Sequence, residues 1–199
     1  MVGAATFHAM FVATVIGSLT LSVICAICCI QLAFPSPITN FRLSEKVMMA
    51  MDKAALVGAI LGLVTMPLAI LSGTLAAPGD AVGSALLYNK FVYSGLALGF
   101  WGAYVAGRVR LGPGLWNDKR LNLLQVGTAA IAFSMTTAAA SIGGKLVRDE
   151  SVYDILPLWL PTESTTVLHP AISALLLLIG IASIVVAFRF APPIERLDQ

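Results

Sequence analysis

The two histidines are the residues of this sequence that are best suited to hold a cofactor. His8 and His169 are the only imidazoles among 199 residues, and imidazole nitrogens ligate haem iron and divalent metals. Each lies close to the start of an apolar segment, roughly 15 Å from the centre of the corresponding helix, so two parallel helices would carry them at nearly the same depth. One haem or one metal ion held by both histidines is therefore one interpretation. A local structural role for each histidine is the alternative, and His169 precedes a proline that could begin a helix.

The three cysteines do not form a metal-binding pattern. Cys25 and Cys28 are three positions apart and would share a helix face, with Cys29 beside them. A zinc or iron–sulfur site needs further ligands. The sequence places no histidine or fourth cysteine near the end of the apolar segment that holds these thiols. We interpret the thiols as small apolar side chains. No arrangement of nucleophile, base and acid is recognisable, so we expect no catalytic activity from this chain on its own.

The composition indicates an integral membrane protein. Apolar residues make up 58% of the chain and charged residues only 11%, against roughly 45–50% and about 25% in soluble domains. The mean hydropathy is +0.91. A sphere of 20.8 kDa cannot bury this much apolar surface and keep a polar exterior. Soluble enzymes, disordered chains and disulfide scaffolds are excluded, and a net charge of +2 excludes a nucleic-acid-binding surface.

Five apolar segments are long enough to cross a membrane as helices, which takes about 20 residues. We predict one all-α transmembrane domain over residues 1–199, a bundle of five helices. No Lys or Arg precedes the first segment, and the segment is too long for the apolar part of a signal peptide, so we interpret it as a retained span. The predicted spans cover residues 4–34, 54–76, 91–107, 121–144 and 167–190.

The distribution of Lys and Arg predicts the orientation of the bundle. The segments 35–53 and 108–120 and the C-terminal end of the chain, counted from Arg189 at the end of the fifth span, contain nine of these residues, whereas the N-terminus and the segments 77–90 and 145–166 contain three. Short cytoplasmic loops are enriched in Lys and Arg. We therefore expect an N-terminus outside the cell and a cytoplasmic C-terminus, in a multi-pass protein of the cell membrane.

Small residues recur at every fourth position on the second and third predicted spans, and a similar stripe on the fourth contains Ala132, Thr136, Ala140 and Gly144. Such stripes allow helices in lipid to approach closely. They predict tight packing of the second, third and fourth spans, and the stripe of the third span is the best candidate for docking a neighbouring subunit. The helix-packing residues are Gly58 and Gly62 on the second span, and Gly95, Gly99, Ala103 and Gly107 on the third.

One resemblance extends over roughly the first 150 residues. His8 stands at the start of the first span, and the fourth span ends in the sequence GGKLVRDE at residues 143–150. In these features the chain resembles a group of small uncharacterised multi-span membrane domains, which have a histidine at the start of the first span and a Gly-Gly-x-x-Val ending on a later one. The resemblance implies association with haem or a quinone.

Three functions are compatible with these features. The first is a structural or accessory subunit of a larger membrane complex, such as a redox or oxidase assembly, because catalytic groups and soluble mass are missing. The second is a haem- or metal-binding electron-transfer protein that uses His8 and His169. The third is a small-molecule carrier, although charges in the middle of the spans, typical of transporters, are absent. The expected partners are the lipid bilayer and other membrane subunits, and a bound lipid or quinone is a further candidate ligand.

Overall fold

The computed structural model describes residues 3–34, 43–77, 79 and 83–150, together with the single residues 154, 175, 178, 182, 189 and 197. Within these residues the chain is helical and contains no strand. The four long helices are α1 (Ala4–Cys28), α2 (Glu45–Ala76), α3 (Ala85–Leu111) and α4 (Lys119–Arg148). Two short 3₁₀ helices, Cys29–Leu32 and Pro113–Trp116, follow α1 and α3.

Three of the long helices begin at a residue whose side chain caps the first turn. The hydroxyl of Ser44 accepts a hydrogen bond from the amide of Val47, and that of Ser84 accepts one from Leu87. Asp118 accepts from two amides of α4. These contacts satisfy amide donors that a helix start leaves without partners.

Two helix ends have a residue with positive φ. Gly112 follows α3 with φ of 82°, and Asp149 follows α4 with φ of 57°. A glycine adopts this backbone at little cost, so the sequence at residue 112 favours the end of α3.

The helices pack as two antiparallel pairs. The largest contacts are those of α1 with α2 and of α3 with α4, and smaller contacts of α1 with α4 and of α2 with α3 join the pairs. The core contains the fully buried side chains of Leu19, Trp101, Tyr104, Leu115 and Trp116. The large aromatic side chains lie toward one end of the bundle, where α3 ends.

Three of the described helices are long and apolar enough to cross a membrane: α1 with the 3₁₀ turn that continues it, α2 and α4. The all-helical class is thus confirmed for the described residues, and the three apolar helices that could cross a membrane are consistent with the predicted multi-pass membrane protein. Helices α2 and α3 extend beyond the predicted spans, since α2 begins at Glu45 rather than 54 and α3 runs for 27 residues. In contrast, α1 and its 3₁₀ turn end at Leu32, within the predicted first span. Apolar composition indicates the part of a helix inside lipid, whereas capping by Ser44 and Ser84 determines where the helix starts. The predicted fifth span, 167–190, lies outside the described residues except for four helical positions.

Candidate functional site

A cluster of buried polar side chains occupies the end of the bundle where α1 and α3 end and α2 and α4 begin. Asp52 belongs to the second turn of α2, and Arg108 to the last turn of α3. Trp116 closes the 3₁₀ turn between α3 and α4, and Asn122 lies in the first turn of α4. We call these four residues the polar clamp.

The centre of the polar clamp is a two-point ion pair. The Arg108 guanidinium donates from Nε to Asp52 Oδ1 at 2.6 Å and from Nη2 to Asp52 Oδ2 at 2.5 Å. Trp116 Nε1 donates to the same Oδ1 at 2.6 Å. The Arg108 and Asp52 side chains are only 9% and 7% exposed. The planar guanidinium of an arginine can form two parallel hydrogen bonds with a carboxylate. Such a pair fixes the relative orientation of the two side chains and is stronger than a single hydrogen bond.

Asn122 links this ion pair to the other two helices. Its Nδ2 donates to the carbonyl oxygen of Trp116 at 2.7 Å and to that of Cys29 at 3.2 Å. Asn122 Oδ1 is buried and has no hydrogen-bond partner among the described residues. Through Cys29, Asp52, Arg108 and Asn122, the ends of all four helices are connected by hydrogen bonds or close contacts.

The geometry of the polar clamp suits a structural role. Both oxygens of Asp52 already accept hydrogen bonds, and an arginine does not release its proton in proteins. A carboxylate held in this way does not suit proton relay or metal binding. In the part of the chain that the structure describes, no three His, Cys, Asp or Glu residues are close enough to share a metal ion.

The sequence alone does not reveal the polar clamp. The predicted spans leave Arg108 in the connecting segment 108–120, whereas it belongs to the last turn of α3. Trp116, in the same segment, is buried, with 1% exposure. The available signal was an acidic residue and a basic residue bordering two apolar segments on the same predicted side of the membrane. That pattern suggests opposite charges at one depth, but it does not specify which of several charged residues would pair.

His8 lies at the opposite end of the bundle, in the second turn of α1. Its Nδ1 is 3.2 Å from Ser72 Oγ on α2, and its ring fills the space above Gly73, where a Cβ atom would come within 2.7 Å of Cε1. The ammonium of Lys90 on α3 is close enough to interact electrostatically with the imidazole. The second predicted ligand, His169, lies outside the described residues. Joint ligation of a haem or metal ion by these histidines therefore stays a prediction.

The small residues predicted to pack helices fall into two groups. Gly58 and Gly62 on α2 lie against α1, and a Cβ atom on Gly58 would be 2.7 Å from the backbone oxygen of Ser18. Gly107 faces Gln125 of α4, whose Oε1 would lie 2.9 Å from an added Cβ atom. These three glycines lie where helices of the same chain meet.

The remaining small residues, Gly95, Gly99 and Ala103, lie on a different surface of α3. All three are exposed, and no described atom lies within 4 Å of a Cβ built on Gly95 or Gly99. Their spacing of four keeps them on one stripe of the helix, and the exposed side chains of Val92 and Leu96 border it. We call Gly95, Gly99 and Ala103 the α3 stripe.

The backbone of Leu197 lies beside the turn that follows α3, close to the polar clamp. The amide of Gly114 donates to the carbonyl of Leu197 at 2.7 Å, and the amide of Leu197 donates to the carbonyl of Leu111 at 2.8 Å. The two backbones approach so closely that a Cβ atom on Gly114 would be 2.6 Å from the Leu197 oxygen. A glycine at residue 114 therefore permits this contact.

Comparison with known proteins adds no relative to this description. No protein-family model, no curated protein and no solved structure matches the chain. The resemblance carried by His8 and the Gly-Gly ending of α4 thus stays a prediction, and the function is argued from the residues themselves.

Proposed function

We propose that this chain is a structural or accessory subunit of a larger membrane complex. The observation that carries the proposal is the α3 stripe, a row of small residues that no described part of the chain covers. Small residues on a helix surface allow the backbone of a second helix to approach closely, and this close contact is more favourable than contact of the same surface with lipid tails. The polar clamp supports a structural role, because its buried hydrogen bonds join the helices of the bundle. That the parent complex is a redox or oxidase assembly stays a prediction from the sequence.

The proposed topology has five spans, an outer N-terminus and a cytoplasmic C-terminus. α4 begins beside the polar clamp and its 30 residues rise about 45 Å to the other end of the bundle. Leu197 nevertheless bonds to Leu111 and Gly114 beside the polar clamp. These bonds support the proposed fifth span over 167–190, which would connect the two ends of the bundle. The nine-to-three distribution of Lys and Arg favours a cytoplasmic position for the polar clamp.

The partner in this proposal is a transmembrane helix that packs on the α3 stripe. The exposed Val92 and Leu96 would form the sides of the contact, and the three small residues would form its floor. Because no described cation or anion belongs to the stripe, the partner helix is expected to present an apolar or small-residue face to it. Van der Waals contact and backbone proximity would then provide the binding energy.

The substitution Gly99→Leu tests this proposal. A leucine would fill the centre of the α3 stripe, and overpacking of a tight contact costs roughly 1–3 kcal/mol, which corresponds to about a 5- to 150-fold loss of affinity. We expect the high-mass band of the chain on native gels of mild-detergent extracts to diminish by that factor. Ala130→Leu is the matched control, because Ala130 is an exposed small residue of α4 outside the stripe.

The control also defines the contradicting result. Gly99→Leu should leave the thermal stability of the isolated chain unchanged, because nothing described lies within 4 Å of the added Cβ atom. If Gly99→Leu and Ala130→Leu give the same high-mass band as the unmodified chain, the α3 stripe faces lipid and the proposal is wrong.

A further inference from the structure

A groove on the outer surface of the bundle runs between α1 and α2. It has a volume of about 590 Å³. Its floor is formed by small residues that include Ala13 and Gly17 of α1, and Leu21, Val57 and Leu61 border it with side chains that are themselves largely exposed. Lys53 of α2 lines one end. The groove therefore opens onto the outer surface of the bundle. Its lining includes no residue of the polar clamp or of the α3 stripe.

The walls of the groove offer no free hydroxyl donor. Thr14 and Ser18 are the hydroxyl-bearing residues among those that line it. Thr14 donates to the carbonyl of Met10 at 3.0 Å, and Ser18 donates to that of Val15 at 3.2 Å. Because both hydroxyls are committed to their own helix, the walls favour an apolar occupant.

The dimensions of the groove match one leaflet of a bilayer. Its lining extends from residue 13 to 21 on α1 and from 53 to 61 on α2, nine residues on each helix, which rise about 12 Å along the axis from the first to the last. Half of the hydrocarbon core is about 15 Å thick. Gly58 contacts Ser18 and Ser22, so the antiparallel helices place Lys53 at the end nearest Leu21 and leave the other end, at Ala13 and Leu61, near the middle of α1 and α2.

Lys53 supplies a positive charge at the end of this apolar groove. Its side chain is exposed and forms no hydrogen bond or ion pair with a described residue. The carboxylate of the adjacent Asp52 is already held by Arg108. A partner helix with an apolar face would cover the groove but leave the ammonium without a counter-charge, whereas a phosphodiester at the headgroup level would pair with it.

We propose that the groove between α1 and α2 binds one anionic phospholipid, with an acyl chain along the small residues and the headgroup phosphate at Lys53. This inference rests on the membrane location within the proposed function, but not on docking of a partner at the α3 stripe. The lipid would act as a bound component that fills the surface between two helices and neutralises Lys53.

The test measures lipid-dependent stabilisation of the purified full-length chain in detergent. Phosphatidylglycerol is titrated against the thermal unfolding temperature, with phosphatidylcholine and inorganic phosphate as separate ligands. We expect phosphatidylglycerol to raise the unfolding temperature most and inorganic phosphate to have no effect. Lys53→Gln should weaken the apparent affinity for phosphatidylglycerol about fivefold, the factor for one lysine near an anionic lipid. Gly17→Leu, which fills the groove, should weaken the affinity for both phospholipids.

Lys46→Gln is the matched control, because Lys46 is also an exposed lysine of α2 but does not line the groove. It should leave the response to phosphatidylglycerol unchanged. Equal losses in Lys46→Gln and Lys53→Gln would indicate general surface charge and overturn the proposal. Stabilisation by inorganic phosphate alone, or an unchanged response in Gly17→Leu, would overturn it as well. The response of Gly99→Leu separates the two proposals, since that variant should lose the complex and keep the lipid effect.

Discussion

Substitution of Asp52 by asparagine should destabilise the chain more than any change to its exposed charges. The variant keeps the shape of the side chain but removes the charge that faces the Arg108 guanidinium. The amide oxygen can then accept only part of the hydrogen bonds that Arg108 and Trp116 now donate at 2.5–2.6 Å, and the amide nitrogen, itself a donor, accepts none. Because both side chains of the ion pair are less than a tenth exposed, the remaining guanidinium is an uncompensated buried charge. Breaking such a pair costs about 3–5 kcal/mol.

The free energy of unfolding is measured by titrating the detergent-solubilised chain with a denaturing detergent and following tryptophan fluorescence. Trp116 donates directly to Asp52, so its emission also reports on the polar clamp. Lys145→Met is the control, because Lys145 pairs with Asp149 at 3.5 Å and Asp149 is almost fully exposed. An ion pair of that kind contributes less than about 1 kcal/mol.

A double substitution distinguishes loss of the ion pair from loss of packing. If the cost of Asp52→Asn arises from an unpaired Arg108, combining Asp52→Leu with Arg108→Met should recover most of it, since apolar replacement of a complete buried pair is often neutral. The reasoning is refuted if Asp52→Asn costs no more than Lys145→Met. It is also refuted if the double variant is as unstable as the sum of its single substitutions, because the two charges would then not be coupled.

Two further predictions concern helix packing and topology. Gly58→Ala should lower the free energy of unfolding by roughly 1–3 kcal/mol, because the new Cβ atom would be 2.7 Å from the Ser18 carbonyl oxygen. The control Gly127→Ala should not lower it, because nothing described lies within 4 Å of the new Cβ atom. Equal effects of the two substitutions would contradict the packing of α1 on α2. Single cysteines at Glu163 and Asp198, introduced where the three native cysteines are replaced by alanine, should react with an impermeant thiol reagent from opposite sides of the membrane; labelling from one side would rule out the fifth span.

The sequence was sufficient to predict the class of the fold and the general position of the helices. Long apolar segments identify helices in lipid because backbone groups there must bond within one segment. The true starts of α2 and α3, at Glu45 and Ala85, depend instead on the capping hydroxyls of Ser44 and Ser84, which apolar composition does not register. The five-span count and the orientation stay predictions.

The polar clamp could not be predicted because its members are far apart in the sequence. Asp52 and Arg108 are separated by 56 positions, and their pairing depends on the rotation of α2 relative to α3. The small residues are ambiguous in a similar way, because Gly58 and Gly99 both belong to stripes with a four-residue spacing and the sequence does not show which stripe contacts a helix of the same chain. Only Gly58 lies against another described helix. A four-residue spacing thus predicts a surface that permits close approach, but not the helix that occupies it.

The arrangement of the four helices as two antiparallel pairs has a consequence for biogenesis. The α1–α2 and α3–α4 contacts join segments that are neighbours in the chain, so in the proposed topology each pair would enter the membrane as a hairpin during synthesis and form early. Asp52 and Arg108 belong to different hairpins, so Asp52 would be inserted before Arg108 is available. Asp52 is the eighth residue of α2, and Arg108 is three residues from the end of α3. At these positions both charges can remain hydrated at the membrane surface until the hairpins meet, and formation of the ion pair would then mark the completion of assembly.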